Sequence, residues 1–325
     1  MKRFFKILSI IILSLLIILF LIFYTPDLKT EDLEDMYFTD HSSYLEVSIL
    51  SLEEEPLSIT VHFQDLGHPE DPVIVLIHGA FSSSHTFLPW AETLVNEGYR
   101  VIMPDLPYFG LSGGFEDKIT SFRRSGEVVM AILEELDIES FHIAGNSLGG
   151  AVAWYITSEY PAHVLSLTLI DALPAFLGEE EQERVPAFLT TDFFAGLVSQ
   201  MTPKFLVRSV LKTAYGNPEL LSEIIFERYL DLLRKEGTRK NIMQVKQEVE
   251  PDWGYQDRLA SITSPTFVLW GEKDSWIPVD VIDIFKEALS LSNDHIIIYP
   301  DLGHVPMEED PSTVYDYLAF IDSLN

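Results

Sequence analysis

Ser147 stands in the stretch Gly145-Asn146-Ser147-Leu148-Gly149, between the apolar run Phe141–Ala144 and the helix-forming run Gly150–Tyr155. A serine hydroxyl is nearly inert at neutral pH and attacks only when a base takes its proton. G-x-S-x-G at a tight strand-to-helix turn removes the flanking side chains and projects the hydroxyl past the strand end. The motif is weak alone, because Gly and Ser are common; its strand–turn–helix context makes it specific. His304 follows the apolar run His295–Tyr299, and Asp274 follows Thr266–Trp270. Imidazole titrates near neutrality, which suits the base. A carboxylate behind it fixes its tautomer and stabilises its charged form. Asp171 also ends an apolar run, Leu165–Ile170, and is the second candidate for the acid. The chemistry of such a set is acyl transfer through a covalent acyl-serine.

The elements that must position these groups alternate along the chain. Leu45–Leu50 and Leu57–Phe63 alternate apolar and polar residues, with Glu53–Pro56 as the turn of an antiparallel pair. Val73–Ile77, Tyr99–Met103, Phe141–Ala144, Leu165–Ile170, Thr266–Trp270 and Ile296–Tyr299 are nearly continuously apolar, as strands covered on both faces are. Helix-period segments lie between them, Val128–Leu136 most clearly. The pattern predicts a mostly parallel sheet with helices on both faces. Residues 172–260 break the alternation with helical patterns and no evident strand. Asn217-Pro218 is expected to open one helix there, and Gly237 to end it. The reading divides the chain into a core, 41–171 and 261–325, and a helical cap, 172–260.

The first segment is of a different kind. Lys2, Arg3 and Lys6 precede an apolar run from Ile7 to Tyr24, interrupted only by Ser9 and Ser14. A helix from Phe4 to Tyr24 is about 30 Å long at roughly 1.5 Å per residue, the thickness of a bilayer core. A cleaved signal peptide would need a shorter apolar region and a small-residue cleavage site, which Phe23-Tyr24-Thr25-Pro26 does not offer. Residues 1–24 are read as an uncleaved anchor and 25–40 as an acidic, polar linker. Basic residues before the span and acidic ones after it predict a cytoplasmic N-terminus and a catalytic domain on the extracytoplasmic side.

The formal net charge of −30 argues against nucleic acid as a partner. With no cysteine, disulfides, thiolate metal sites and a cysteine nucleophile are excluded. No zinc-hydrolase spacing, dinucleotide fingerprint or phosphate-binding loop is present, so neither metal nor cofactor is expected. Residues 172–260 carry 14 acidic and 11 basic residues, a net of −3, so the acidity belongs to the rest of the chain. An anionic membrane surface would repel the core and nearly ignore the cap. Phe193, Phe194, Phe205 and Leu206 are therefore expected to face the bilayer, with Lys204, Arg208 and Lys212 meeting head groups.

Five blocks together carry a resemblance: Ile77-His78-Gly79, Pro104–Ser112, Gly145–Gly150, Trp270–Pro278 and Gly303–Pro306. From about residue 45 to 325 the chain resembles the α/β-hydrolase superfamily, in which serine, acid and histidine follow in this order. The resemblance implies an oxyanion hole made by the backbone N–H of Leu148 and that of Ala80, with Phe81 second. It also implies that His78 braces the oxyanion loop. The second block departs from the family pattern, since Tyr108 stands where a glycine is usual, and a different turn is expected there. In its anchor the chain is similar to membrane-anchored monoacylglycerol-lipase-like hydrolases, so acyl-lipid esters such as monoacylglycerols are the expected substrates. The elbow also resembles that of meta-cleavage-product hydrolases, which cleave carbon–carbon bonds. Acyltransferase or thioesterase chemistry and a catalytically silent scaffold are the remaining alternatives.

Overall fold

The computed structural model describes residues 2–175, 196, 199–248 and 254–324. Helix α1 (Lys2–Phe23) is exposed along most of its length, with Phe20 and Phe23 half-buried, and Ser9 Oγ donates back to Phe5 O at 2.9 Å, which satisfies the hydroxyl within the helix. The residues read as a linker contain helix α2 (Thr30–Tyr37), with Leu33 fully buried.

Eight strands then build one sheet: β1 (Ser42–Leu50), β2 (Pro56–Leu66), β3 (Val73–Ile77), β4 (Arg100–Pro104), β6 (Phe141–Asn146), β7 (Val164–Ile170), β9 (Thr266–Gly271) and β10 (Ile296–Tyr299). Their order is β1-β2-β4-β3-β6-β7-β9-β10. From β4 to β10 all neighbours run parallel; β2 is antiparallel to both β1 and β4. The continuously apolar runs are the central strands, and β3, β4, β6 and β9 are buried at every position. On one face lie α4 (Phe122–Glu135), α5 (Leu148–Glu159), α9 (Tyr255–Ser261) and α10 (Ile282–Ala288), whose Val128, Trp154, Leu259 and Phe285 share one core cluster. On the other lie α3 (Leu88–Asn96) and α11 (Val314–Asp322), where the Trp90 and Tyr317 rings stack at 5.5 Å.

The cap enters after β7. Its described helices are α6 (Lys204–Lys212), α7 (Glu223–Leu233) and α8 (Thr238–Gln244). The expected single helix from Asn217 is broken. Pro218–Leu220 forms a short 3-10 turn, and α7 starts afresh because Ser222 Oγ accepts the Ile225 N–H at 3.2 Å. Gly237, at φ +81°, starts α8 as well as closing the turn after α7. The cap also holds a strand that periodicity misses. β8 (Lys246–Gln247) pairs in parallel with β5 (Ile119–Thr120), two residues each, too short for any alternation to show. Phe193 and Phe194 lie outside the described residues.

Residues 25–37 bind the cap tightly. Thr25 N donates to Gln200 O at 2.7 Å, Leu28 exchanges backbone bonds with Arg234 and Glu236, and Arg239 pairs with Asp27. Tyr37 donates to Asp231 at 3.1 Å while its carbonyl meets His85 Nε2 at 2.8 Å, tying cap, strap and core together.

Candidate active site

Three strand ends converge at one edge of the sheet. Ser147 follows β6 directly, at φ 56° and ψ −120°, a conformation that non-glycine residues adopt only when the surroundings impose it. The surroundings do: its N–H donates to Ile170 O at 3.0 Å, and its carbonyl accepts from Leu173 at 3.1 Å. The flanking glycines are required by contact. A Cβ on Gly145 would lie 2.2 Å from Gly149 O, and one on Gly149 would lie 2.2 Å from Ile77 O. Helix α5 starts at once behind the serine, so its N-terminal dipole points to the space above Ser147.

His304 follows β10 and is buried. Its Nδ1 lies 2.7 Å from Asp274 Oδ2. Asp274 Oδ1 accepts the N–H groups of Trp276 at 2.7 Å and Ile277 at 3.0 Å, so the carboxylate is held on both sides. The structure pairs the predicted histidine with Asp274, and the residue before the predicted serine, Asn146, meets the His304 backbone; among the described contacts the Ser147 hydroxyl makes no hydrogen bond to the imidazole. Asp171 sits behind them at the end of β7, fully buried, with φ +43°. Its Oδ1 accepts Gly271 N at 2.9 Å; Oδ2 has no hydrogen-bond partner. Burial, then the neighbouring Asp274 charge, push the Asp171 carboxyl well above the usual carboxylate range. Asp171, Asp274 and His304 each offer an atom within 4.8 Å of the others, a spacing that a metal ion also tolerates. Yet Asp274 already accepts bonds on both oxygens and the imidazole faces it through Nδ1. Asp171 Oδ2 is the one oxygen of the two carboxylates without a hydrogen-bond partner.

The loop after β3 faces the serine. An added Cβ on Gly79 would lie 3.0 Å from Ser147 Cβ, so this backbone runs against the nucleophile. Among the described residues, the N–H groups of Leu148, Ala80 and Phe81 donate to no protein acceptor and remain free for a ligand oxygen. His78 braces this loop. Its Nδ1 is 2.7 Å from Gly79 O and its Nε2 is 2.9 Å from the Leu106 N–H, so Nδ1 carries the proton and Nε2 accepts. Burial pushes its pKa down, which keeps it neutral. Tyr108 adopts φ +74°, the left-handed conformation that glycine favours. The turn is therefore kept and not remodelled, and the Tyr108 hydroxyl anchors it to the carbonyls of Phe115 and Ile119.

Several residues that support the histidine have no signature of their own. Asn146 Nδ2 donates to His304 O at 2.9 Å and to Ile170 O at 3.1 Å, joining the serine turn to the histidine loop. Glu309 accepts Gly303 N at 2.7 Å and Gly216 N at 2.8 Å. His304 N donates to Ala214 O at 2.6 Å, so the cap itself holds the histidine backbone. Beneath the cap, Glu308 pairs with Arg228 and accepts from Tyr215 at 2.6 Å. Only the Glu308-Glu309 pair shortly after a candidate histidine would have hinted at this. The cavity beside His304 is lined by Phe81, Leu211, Ala214, Tyr215, Tyr229 and Trp276 among others, and holds about 20 Å³, room for one water.

A family model described as the alpha/beta hydrolase fold matches residues 72–311. The chain belongs to the alpha/beta hydrolase fold family. Within that family it is 25% identical over 278 residues to a 2-hydroxy-6-oxononadienedioate/2-hydroxy-6-oxononatrienedioate hydrolase of Pseudomonas putida, covering 82% of this chain and 95% of that one. It is 27% identical over 266 residues to Lipase 3 of a Moraxella species, covering 77% and 78%. Among solved structures, this alpha/beta hydrolase superposes on a bacterial membrane phospholipase A with a TM-score of 0.65 at 24% identity, over 100% of this chain and 99% of that one.

Proposed function

We propose that this protein is a membrane-anchored serine hydrolase that cleaves carboxylic esters of acyl lipids, such as monoacylglycerols. The observation that carries the reading is the 2.7 Å contact between His304 and Asp274 beside a serine held in a strained turn. In the proposed mechanism His304 Nε2 takes the Ser147 proton as Oγ attacks the ester carbonyl. Asp274 holds the Nδ1–H tautomer and stabilises the imidazolium. Leu148 N–H and an N–H of Ala80 or Phe81 meet the developing oxyanion. His304 then returns the proton to the leaving alcohol, and a water hydrolyses the acyl-serine by the same route. No cofactor or metal enters the scheme.

Helix α1 supports the membrane reading: it is long and apolar enough to span, basic before the span and acidic after it. The charge distribution about α1 supports a catalytic domain on the extracytoplasmic side. The lipase and phospholipase likenesses lean the same way. The Pseudomonas relative favours a second reading, carbon–carbon bond hydrolysis of a diketo acid. Against it stand the anchor-like α1 and the formal net charge of −30, which suit a soluble dianionic substrate poorly. The test is threefold. A fluorophosphonate should label the wild type and not Ser147→Ala. Monoacylglycerol and p-nitrophenyl esters should turn over. A 2-hydroxy-6-oxo-dienedioate should not; faster turnover of that acid than of any ester would replace this reading with the second.

A further inference from the structure

Helix α6 joins the end of the anchor to the catalytic histidine. At its N-terminal end, the Phe23 and Phe205 rings lie 6.2 Å apart. Thr25 follows Phe23 by two residues, at most about 7 Å of chain. Thr25 is bonded to the turn just before α6, through its N–H to Gln200 O at 2.7 Å and its hydroxyl to Thr202 O at 3.1 Å. Arg239 holds the Thr25 carbonyl from the other side at 2.7 Å. No slack separates the end of the span from α6. Tyr24, half-exposed, marks the level at which a spanning helix leaves the hydrocarbon. At its C-terminal end α6 reaches the site: Thr213 Oγ1 accepts from Trp276 Nε1 at 2.8 Å, and Trp276 lies 5.0 Å from the His304 ring.

The two faces of α6 differ. Val207 and Leu211 turn inward to the core, and Leu211 lines the cavity beside His304. Phe205 (67% exposed), Leu206 (51%) and Val210 (50%) turn outward, and Ile224 on α7 adds a side chain 84% exposed. Contrary to the expectation from composition, the basic residues of α6 are already engaged. Lys204, Arg208 and Lys212 pair with Glu227, Glu223 and Glu219 at 2.8, 2.7 and 3.4 Å, an antiparallel ladder between α6 and α7 that ends on the 3-10 turn before α7. This outer surface is apolar with its charges internally compensated, and it begins where the anchor ends.

We propose that the outer face of α6 lies on the lipid surface beside the exit of α1, with Phe205, Leu206 and Val210 in the interface. This deepens the proposed function and rests on its reading of α1 as an anchor. One helix then separates the bilayer from the cavity at His304, so a lipid ester reaches Ser147 without crossing water. Because the ladder compensates its charges, the pose does not depend on anionic lipid.

The chain has no cysteine, so a single introduced one gives a unique label. Full-length Leu206→Cys, Leu13→Cys and Tyr315→Cys would each carry a fluorophore in phosphatidylcholine vesicles containing brominated acyl chains. None of these residues belongs to the catalytic set, and all are exposed, so labelling leaves packing intact. The expected result is quenching at 13 and 206, several-fold above that at 315, unchanged when a third of the lipid is anionic. Quenching at 13 with 206 as dark to lipid as 315 overturns the pose and leaves the anchor standing. If position 206 is also shielded from aqueous iodide in that case, a second copy of the chain covers α6 instead. Absence of quenching at 13 overturns both the anchor and the pose. Activity enters none of these readouts, so failure of the ester-hydrolase chemistry is scored separately.

Discussion

Asp171→Asn asks whether the buried carboxyl behind the triad carries a proton. The replacement is close to isosteric. Asn keeps an acceptor for the Gly271 N–H, and it enters the left-handed region that Asp171 occupies about as readily. If Asp171 is neutral, one neutral polar group replaces another and the field at His304 stays as it was. If Asp171 were ionised, the exchange would remove a negative charge whose oxygen lies within 4.8 Å of the imidazole. At an effective dielectric constant of about 20, that charge interacts with the imidazolium by about 3.5 kcal/mol, or about 2.5 pH units. Losing it would lower the histidine pKa by that amount. The assay is kcat/KM for a soluble p-nitrophenyl ester across the acid limb, whose midpoint reports the free-enzyme histidine. With Asp171 protonated, the midpoint of Asp171→Asn stays within about half a unit of the wild type. A downward move of one unit or more refutes the argument and makes Asp171 a second anionic partner of the triad.

Further expectations follow from the same contacts. Asp274→Asn should lower kcat by about 10⁴, and combining it with His304→Ala should cost little more, since the groups act as a unit; additive losses in a double-mutant cycle would separate them. Burial lowers the Lys235 pKa from 10.5 to about 8 despite nearby Asp105. The folded state thus binds fewer protons than the unfolded one between those values, so stability rises with pH across that window. Urea titrations should show Lys235→Met gaining its advantage below about pH 8 and losing it above, and a constant offset would contradict this. Asp105 accepts Ser84 N at 2.6 Å, Leu111 N at 2.8 Å and His62 Nδ1 at 2.8 Å with no exposure. Asp105→Ala should therefore destabilise by about 3–5 kcal/mol, and a loss below 1 kcal/mol by calorimetry would show that water replaces the carboxylate.

The parallel strands were legible, and the serine, histidine and acid proposed to react could be nominated, because both follow short-range rules. A strand covered on two faces must be apolar throughout, and a nucleophile at a tight turn must be flanked by small residues. Tertiary hydrogen bonds leave no such trace. Asn146 and Glu309 are polar residues like many others until the fold sets them against the backbone of the histidine loop. The strap over residues 25–37 reads as acidic linker because its hold on the cap uses backbone groups and single side chains such as Leu33 and Asp27. The ladder had a signal that composition obscured: Lys204, Arg208 and Lys212 repeat every four residues, as do Glu219, Glu223 and Glu227. Two rows of that period and opposite sign on successive segments imply an antiparallel pair, with the charges spent on each other.

The backbone at Ser147 sets stability against turnover at a single position. Its conformation costs a non-glycine residue about 1–3 kcal/mol. Glycine enters the same region freely and gives back about 0.5–1 kcal/mol through the larger entropy of its unfolded chain. A Ser147→Gly chain is therefore expected to melt higher than the active one by a few degrees, while doing no chemistry at all. With Ser147 as the proposed nucleophile, the more stable of these two chains is the one that cannot react.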